Sequence, residues 1–245
     1  MSKNYFKYFS IFILLVVSIS CKQLQIAQST NSKINIKNID VDSNIYNIYK
    51  QYKDTLDKIM FKNIAVLDDD FLKQQPNSTL GNFMADILQE STIKNSNQLI
   101  DFSILNYGGI RVPSLSKGNI TISDIYNVMP FDNYIGYMKL DAYQIQSMLD
   151  SVCYKGGWPV SHITFTCKEN KAQDIIINNK NLDANKIYNV AIIDYIANGG
   201  DGMSMLKTIP YNNAGILFRD AIIEHLKNLN KNIKANNENR ILYAK

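Results

Sequence analysis

Three short stretches carry residues whose types and spacing could do chemistry. Asn106-Tyr107-Gly108-Gly109-Ile110-Arg111 follows an apolar run (Phe102, Ile104, Leu105) and opens into two glycines and one arginine. Pro130-Phe131-Asp132-Asn133 is a corner with an aromatic among polar neighbours. Asp194-Tyr195-Ile196-Ala197-Asn198-Gly199-Gly200-Asp201-Gly202 places an aromatic at a strand end, then a glycine-rich loop holding Asp201. Glycines let backbone approach a ligand closely, a guanidinium fork suits an anion, and an aromatic offers a face to a flat ring. Together they suit a small anionic ligand with a ring. An ordinary loop can contain the same residues, so the remaining chain has to decide.

Residues 1–21 read MSKNYFKYFSIFILLVVSISC. Lys3 and Lys7 make a basic start, and Ser10–Ile19 is an apolar run too short for an ordinary membrane span. Small Ser18 and Ser20 lead to Cys21. This predicts a secretory signal over 1–20 with a lipoprotein-type box, Cys21 being the lipidation site; Ser18 stands where leucine is usual. A plain signal peptide with an incidental cysteine, or an anchor helix, are the other readings. A tether over 21–40 and a domain over 41–245 follow. A lipid on Cys21 would hold a soluble body at a membrane of the periplasm or cell envelope. Without residues 1–20, Lys3 and Lys7 leave the basic count of 26, giving 24 against 22 acidic. That balance does not argue for a nucleic-acid polymer. Cys153 and Cys167 either pair, as export permits, or are two buried thiols.

The positioning elements are legible as patterns. A helix starts near Asp42 or Ser43, with Ile45, Ile48, Tyr49, Tyr52, Leu56 and Ile59 on one face. Asn63–Leu67 reads as a strand, and Asp68-Asp69-Asp70 as a solvated turn rather than a metal site. Ser78 or Thr79 caps the strongest helical stripe, Leu80, Phe83, Met84, Ile87 and Leu88. Asn82 near its start could offer donors to an anion, or only support the first turn. Ser123 is expected to cap a helix over 124–127. Tyr134–Lys139, His162–Cys167, Asp174–Ile177 and Ile187–Ile193 read as strands. Helices are expected over 141–154 and 216–229, and Arg240–Tyr243 as a closing strand. Strands and helices mix without a regular βαβ beat, which predicts an α+β fold with a mixed sheet.

Several short motifs stand in order from about residue 40 to the end: Ser78-Thr79-Leu80-Gly81-Asn82 with Ala85-Asp86, Asn106–Arg111, Gly118, Ile120-Thr121, Pro130–Asn133, Tyr195–Gly202 and Asn239-Arg240-Ile241. In these the chain resembles the C-terminal, substrate-binding domain of the 5'-nucleotidase and UDP-sugar hydrolase family. The resemblance implies that Phe131 and Tyr195 sandwich a nucleobase. It implies that Asn106 and Asp201 hydrogen-bond the sugar or base edge and that Arg111 grips phosphate. Asn82, Gly109, Asn133 and Gly200 complete the candidate set. Many relatives carry an arginine shortly before the Leu-Gly-Asn motif. Here Lys73 is the only base in that neighbourhood, which implies a weaker phosphate grip. Tyr195 stands where phenylalanine is common.

In full-length relatives hydrolysis belongs to an N-terminal metallophosphoesterase domain, whose two metals are held by several His and Asp residues and an Asn. This sequence has two histidines, His162 and His225, neither in such a pattern. The expectation is therefore a chain without catalytic or metal-binding residues of its own, presenting a nucleotide to a separate metallophosphoesterase chain that carries the divalent metals. An exposed apolar patch near the Phe131 and Tyr195 loops should accompany that. The alternatives are a nucleotide- or nucleoside-binding lipoprotein without catalysis, or a structural lipoprotein that has lost its ligand.

Overall fold

The computed structural model describes residues 42–229 and 231–244. The expected signal segment, Cys21 and the tether lie outside the described residues. The chain divides into two compact units, Met1–Ile48 and Tyr49–Lys245. In the first, the Asp42 carboxylate accepts from the amides of Asn44 and Ile45 at 2.8 and 3.3 Å, the capping expected for helix α1, Ser43–Met60. In the second, Tyr52, Leu56 and Ile59 of this helix are exposed.

The second unit is a mixed α/β domain. Its main sheet has five strands in the order β12-β6-β11-β3-β7, comprising β3 (Phe102–Ile104), β6 (Tyr134–Leu140), β7 (Val160–Ser161), β11 (Tyr188–Ile193) and β12 (Tyr211–Leu217). The pair β3–β11 is parallel and the other pairs are antiparallel. Strand β11 is buried at all but one position, as a central strand covered on both faces requires. A second sheet, β10-β9-β8-β13, contains β8 (Ile163–Lys168), β9 (Lys171–Ile177), β10 (Lys180–Asn181) and β13 (Ile241–Tyr243). Two ribbons complete the strands: β1 (Asn63–Leu67) with β5 (Gly118–Thr121), and β2 (Phe71–Leu72) with β4 (Ser114–Leu115).

Helix α2, Thr79–Ser96, packs across the main sheet and against α6, Phe218–Asn228. Ser78 caps it by accepting from the Gly81 amide at 2.7 Å. Leu80, Met84 and Leu88 are wholly buried, so the apolar stripe faces the core as its period predicts. The Ser103 hydroxyl donates to the Ala85 carbonyl at 2.7 Å and ties β3 to this helix. Helix α4, Ala142–Tyr154, packs on β8 and β9. A disulfide joins its Cys153 to Cys167 of β8, with Cα atoms 5.4 Å apart, which settles the pairing that the spacing left open.

Three local expectations are corrected. Helix α3 spans Ile122–Val128 and is capped by Thr121, not Ser123. Thr121 and Asp124 form a reciprocal capping box, which satisfies two backbone donors where Ser123 would satisfy one. Ile216 and Leu217 end strand β12 and are not helical. That strand pairs only with β6 and slips register between Asn213 and Leu217, beside Gly215 at φ 79°. An edge strand with such a bulge shows no period-two alternation to read. Asn179-Lys180 reads from the sequence as a polar turn, whereas Lys180 lies in the short edge strand β10.

Several motif residues prove to be structural. Arg240 is 7% exposed. Its guanidinium donates to both Asp86 oxygens at 2.7 and 3.0 Å, to the Val160 carbonyl at 2.7 Å and to Glu238 at 3.0 Å. Asp86 also accepts from the Ser161 hydroxyl. The Asn77 side chain meets the backbone of β13 as a neighbouring strand would. It accepts from the amides of Arg240 and Ile241 at 2.9 Å and donates to the Ile241 carbonyl at 2.7 Å. Asp68, Asp69 and Asp70 accept from Asn232, Ala235 and Lys117, so the acidic run fastens other segments to its turn.

Two stability outcomes follow. Arg240→Met strands the Asp86 carboxylate beside the core; about 3 kcal/mol should be lost, since removing one partner of a buried pair leaves an uncompensated charge. An unchanged denaturant midpoint would refute that role. In β6, a Cβ at Gly136 would lie 2.3 Å from the Asn212 carbonyl oxygen and 2.7 Å from the Tyr211 ring. Gly136→Ala should therefore cost roughly 1–3 kcal/mol through overpacking, read as a lower melting temperature, and equal stability would contradict the packing.

Candidate functional site

The sheet register brings the three candidate stretches to one edge. Strands β3 and β11 are parallel, with Phe102 opposite Val190 and Ser103 opposite Ala191. Both therefore deliver their carboxyl ends, and the loops that follow, in the same direction. β3 leads into Asn106 and a single 3-10 turn, Tyr107–Gly109. β11 leads into helix α5, Asp194–Ala197, and the glycine loop. Strand β6 is antiparallel to β11, with Ile135 opposite Ile193, so its beginning lies beside the end of β11. The Pro130–Asn133 corner immediately precedes it.

At this edge lies a cleft of about 250 Å³ lined by Asn106, Gly108, Gly109, Arg111, Phe131, Asn133, Tyr195 and Asp201. The five principal residues of the sequence reading are thus neighbours, with Gly109 and Asn133 of the secondary set. Gly108 was not singled out, although it sits in the same turn. Gly200 lies under Tyr195: a Cβ there would be 2.5 Å from the tyrosine ring and carbonyl. Asn82 does not line the cleft. Its amide donates to the carbonyls of Asn236 and Glu238 at 3.1 and 3.0 Å, and it is 4% exposed. The early turn of α2 therefore fastens the C-terminal segment.

Two loops are bridged inside the cleft. The Asn106 amide donates to Asp201 Oδ2 at 2.7 Å, and the Tyr195 hydroxyl donates to Asp201 Oδ1 at 2.9 Å. Asp201 holds a left-handed backbone, φ 50°, which costs a non-glycine residue about 1–2 kcal/mol. The two side-chain bonds offset this. The bond to Asp201, with burial second, pushes the Tyr195 hydroxyl above its usual pKa. Asn106 Oδ1 is buried without a hydrogen-bond partner among the described residues. A Cβ at Gly109 would come within 2.7 Å of it, so only glycine leaves room for that amide.

Arg111 is exposed, donates weakly to the Gly108 carbonyl at 3.3 Å, and sits 5.7 Å from the centre of the Phe131 ring. Among the described residues neither it nor Lys73 has an ion-pair partner. Phe131 and Tyr195 keep 41% and 43% of their surface exposed, so each ring offers a face to solvent.

Braces behind the walls were missed by the sequence reading. Arg219 opens α6, pairs with Asp132 at 2.6 Å and lies 4.3 Å above the Tyr126 ring. Next to it, the Phe218 amide donates to the Asn133 carbonyl at 2.8 Å. The corner carrying Phe131 is thereby fixed to a helix more than eighty residues later in the chain. No local pattern signals such a contact.

The family described as 5'-nucleotidase, C-terminal domain, matches residues 63–208. The 5'-nucleotidase of Vibrio parahaemolyticus is 29% identical over 133 residues, 52% of this chain and 24% of that protein. The trifunctional nucleotide phosphoesterase protein YfkN of Bacillus subtilis is 26% identical over 213 residues, covering 78% of this chain and 14% of that one. Among solved structures, the 5'-nucleotidase precursor of Thermus thermophilus shares the fold with a TM-score of 0.70 at 24% identity, over 80% of this chain and 42% of that one. The NAD nucleotidase of Haemophilus influenzae does so at 0.66 and 17% identity, over 83% and 42%. The matched region is about a quarter of the length of the Vibrio protein. With more than half of its residues matched, the chain belongs to the 5'-nucleotidase, C-terminal domain family.

Proposed function

We propose that this chain binds a nucleotide in the Asn106–Arg111, Phe131 and Tyr195–Asp201 cleft and presents it for phosphoester hydrolysis by a separate metallophosphoesterase chain. One observation carries the reading: two exposed rings, an unpaired guanidinium and an acceptor cluster from three separated segments line a single cleft. The base stacks on Phe131 and Tyr195, a contact tolerant of base identity. Arg111 has N–H groups to spare for phosphate oxygens, where a charge-assisted fork is strong. Asp201 accepts from ribose hydroxyls or from donors on the base edge, and Asn106, whose amide donates to Asp201, holds that carboxylate in place.

The family's dinuclear metal centre does not fit this chain's donor set. Among the described residues no group of three or more His, Cys, Asp or Glu side chains could hold a metal ion. His225 lies 3.5 Å from Glu90, and burial lowers its pKa, with Glu90 opposing and Lys94 adding to the effect. His162 Nδ1 is 2.8 Å from the Ser161 hydroxyl. No metal-dependent step is therefore assigned to these residues, and the divalent ions belong to the proposed partner. Exposed Phe131, Tyr134 and Tyr195 at the cleft edge suit a surface against which such a partner closes. The Cys153–Cys167 disulfide favours an oxidising compartment, in keeping with export and a lipid on Cys21.

Calorimetry with AMP tests the cleft. Phe131→Ala should weaken binding by roughly 1–3 kcal/mol, the usual value of a base–aromatic stack; unchanged affinity retires the stacking role. The purified chain with Mg²⁺ or Mn²⁺ should hydrolyse AMP negligibly, whereas material co-purified with it from native membranes should show nucleotidase activity. Metal-dependent turnover by the chain alone would sink the two-chain reading. AMP binding with no co-purifying nucleotidase would instead favour a binding lipoprotein.

A further inference from the structure

Lys73 stands directly behind the cleft and is not among its lining residues. It follows β2, and its backbone amide donates to the Pro113 carbonyl at 2.8 Å. Its ammonium donates to the Ile110 carbonyl at 2.7 Å and rests 4.0 Å from the centre of the Tyr107 ring. Both targets lie in the turn that presents Asn106, Gly109 and Arg111. Burial, and then the charge of Arg111, pull the Lys73 pKa below its usual value. A cation so placed beside another cation, without a carboxylate, is held by the carbonyl and the ring face.

The choice of carbonyl matters. The Ile110 oxygen and the Arg111 amide belong to one planar peptide unit. Lys73 holds its oxygen, and the Val128 carbonyl accepts from its N–H at 2.9 Å. Gripped at both ends, this plane sets the direction in which the Arg111 side chain departs. The same ammonium rests against the Tyr107 ring, a second contact with the same turn.

We propose that Lys73 is a positioning residue of the cleft: by clamping the Ile110–Arg111 peptide plane and the Tyr107 ring it aims Arg111 at the ligand's anionic group without touching the ligand. This rests on the reading of the cleft as a nucleotide site. It differs from a direct phosphate contact, which would put the Lys73 ammonium on the ligand rather than on the Ile110 carbonyl.

The test is a calorimetric cycle on the full chain with AMP, using Lys73→Met, Lys73→Arg, Arg111→Met and the double variant Lys73→Met/Arg111→Met. Lys73→Met should weaken AMP binding about tenfold, the effect of one charge-assisted hydrogen bond, and Lys73→Arg should restore most of it. In the Arg111→Met background Lys73→Met should change AMP affinity by less than about twofold, since coupled residues are non-additive. A full loss persisting in that background would mean direct or long-range attraction of phosphate and would overturn the proposal. So would a lowered melting temperature with unchanged AMP affinity, which marks a role in folding alone. If the wild-type chain binds no AMP, the nucleotide reading fails separately. Lys73 is then judged by hydrogen exchange: Lys73→Met should speed exchange at the Arg111 amide relative to Ile192 in the sheet, and unaltered exchange at Arg111 overturns the clamp.

Discussion

The parallel pairing of β3 with β11 is the constraint on which the site depends. Only two residue pairs define it, yet it decides that two loops separated by about ninety residues leave the sheet side by side. Ligands of open α/β sheets lie outside the carboxyl ends of parallel strands for this reason. Strand β6 contributes from the opposite direction: being antiparallel to β11, it offers its amino end at the same edge. A one-residue slip of either pair would turn the strand's buried side chains to the other face and withdraw its loop from the cleft. The core therefore enforces the site register. Val190, Ala191, Ile192 and Ile193 are wholly buried, so a slipped strand would set side chains of the wrong volume against both close-packed faces.

Two arginines of the sequence motifs show how burial separates structure from recognition. Arg240 is buried and satisfied by Asp86, Glu238 and a backbone carbonyl. Removing a guanidinium from water is costly unless its donors are paired, so its partners are part of the fold. Arg111 is exposed and keeps most of its donors free. A ligand can meet the second but not the first. The same contrast divides the asparagines: Asn82 spends its amide donors on two backbone carbonyls, while Asn106 turns its amide to the Asp201 carboxylate of the cleft.

What was legible in the sequence follows the range of the forces involved. Helices α2 and α4 have apolar stripes at helical spacing, and β11 is apolar at every position but Asn189, so local pattern sufficed for them. Strands β2, β4 and β5 are short, and β12 pairs with β6 across a register slip; all are held by partners far along the chain, and their segments carry no period of their own. The ring, arginine and acid of the cleft stood out by type, but an ordinary loop can contain them, and their joint assignment to a ligand came from the resemblance to the 5'-nucleotidase C-terminal domain. Asn82 kept two readings open because its partners, Asn236 and Glu238, are more than 150 residues away. Lys73 and Arg219 were not seen as braces for the same reason, their contacts being 37 and 87 residues distant. Positioning residues are where single-sequence reasoning stops, because their function is to connect segments that the sequence keeps apart.

The tyrosine at position 195 alters the cleft beyond preserving a ring. Its hydroxyl binds the Asp201 carboxylate, which phenylalanine could not do. Asp201 sits in a left-handed backbone region that is unfavourable to a side chain, so its carboxylate needs anchoring if it is to face the cleft before a ligand arrives. Asn106 anchors one oxygen and Tyr195 the other. Each oxygen retains a lone pair, so the anchored carboxylate still accepts from a ligand. One part of the cleft is thus a fixed group of acceptors, while Arg111 supplies an unpaired donor fork. A ligand that satisfies both must carry hydroxyl or amino donors and an anion, with a flat ring for Phe131 and Tyr195. Preorganisation of the acceptors lowers the entropy lost when such a ligand binds, and here it is achieved by the same side chain that offers one of the two exposed ring faces of the cleft.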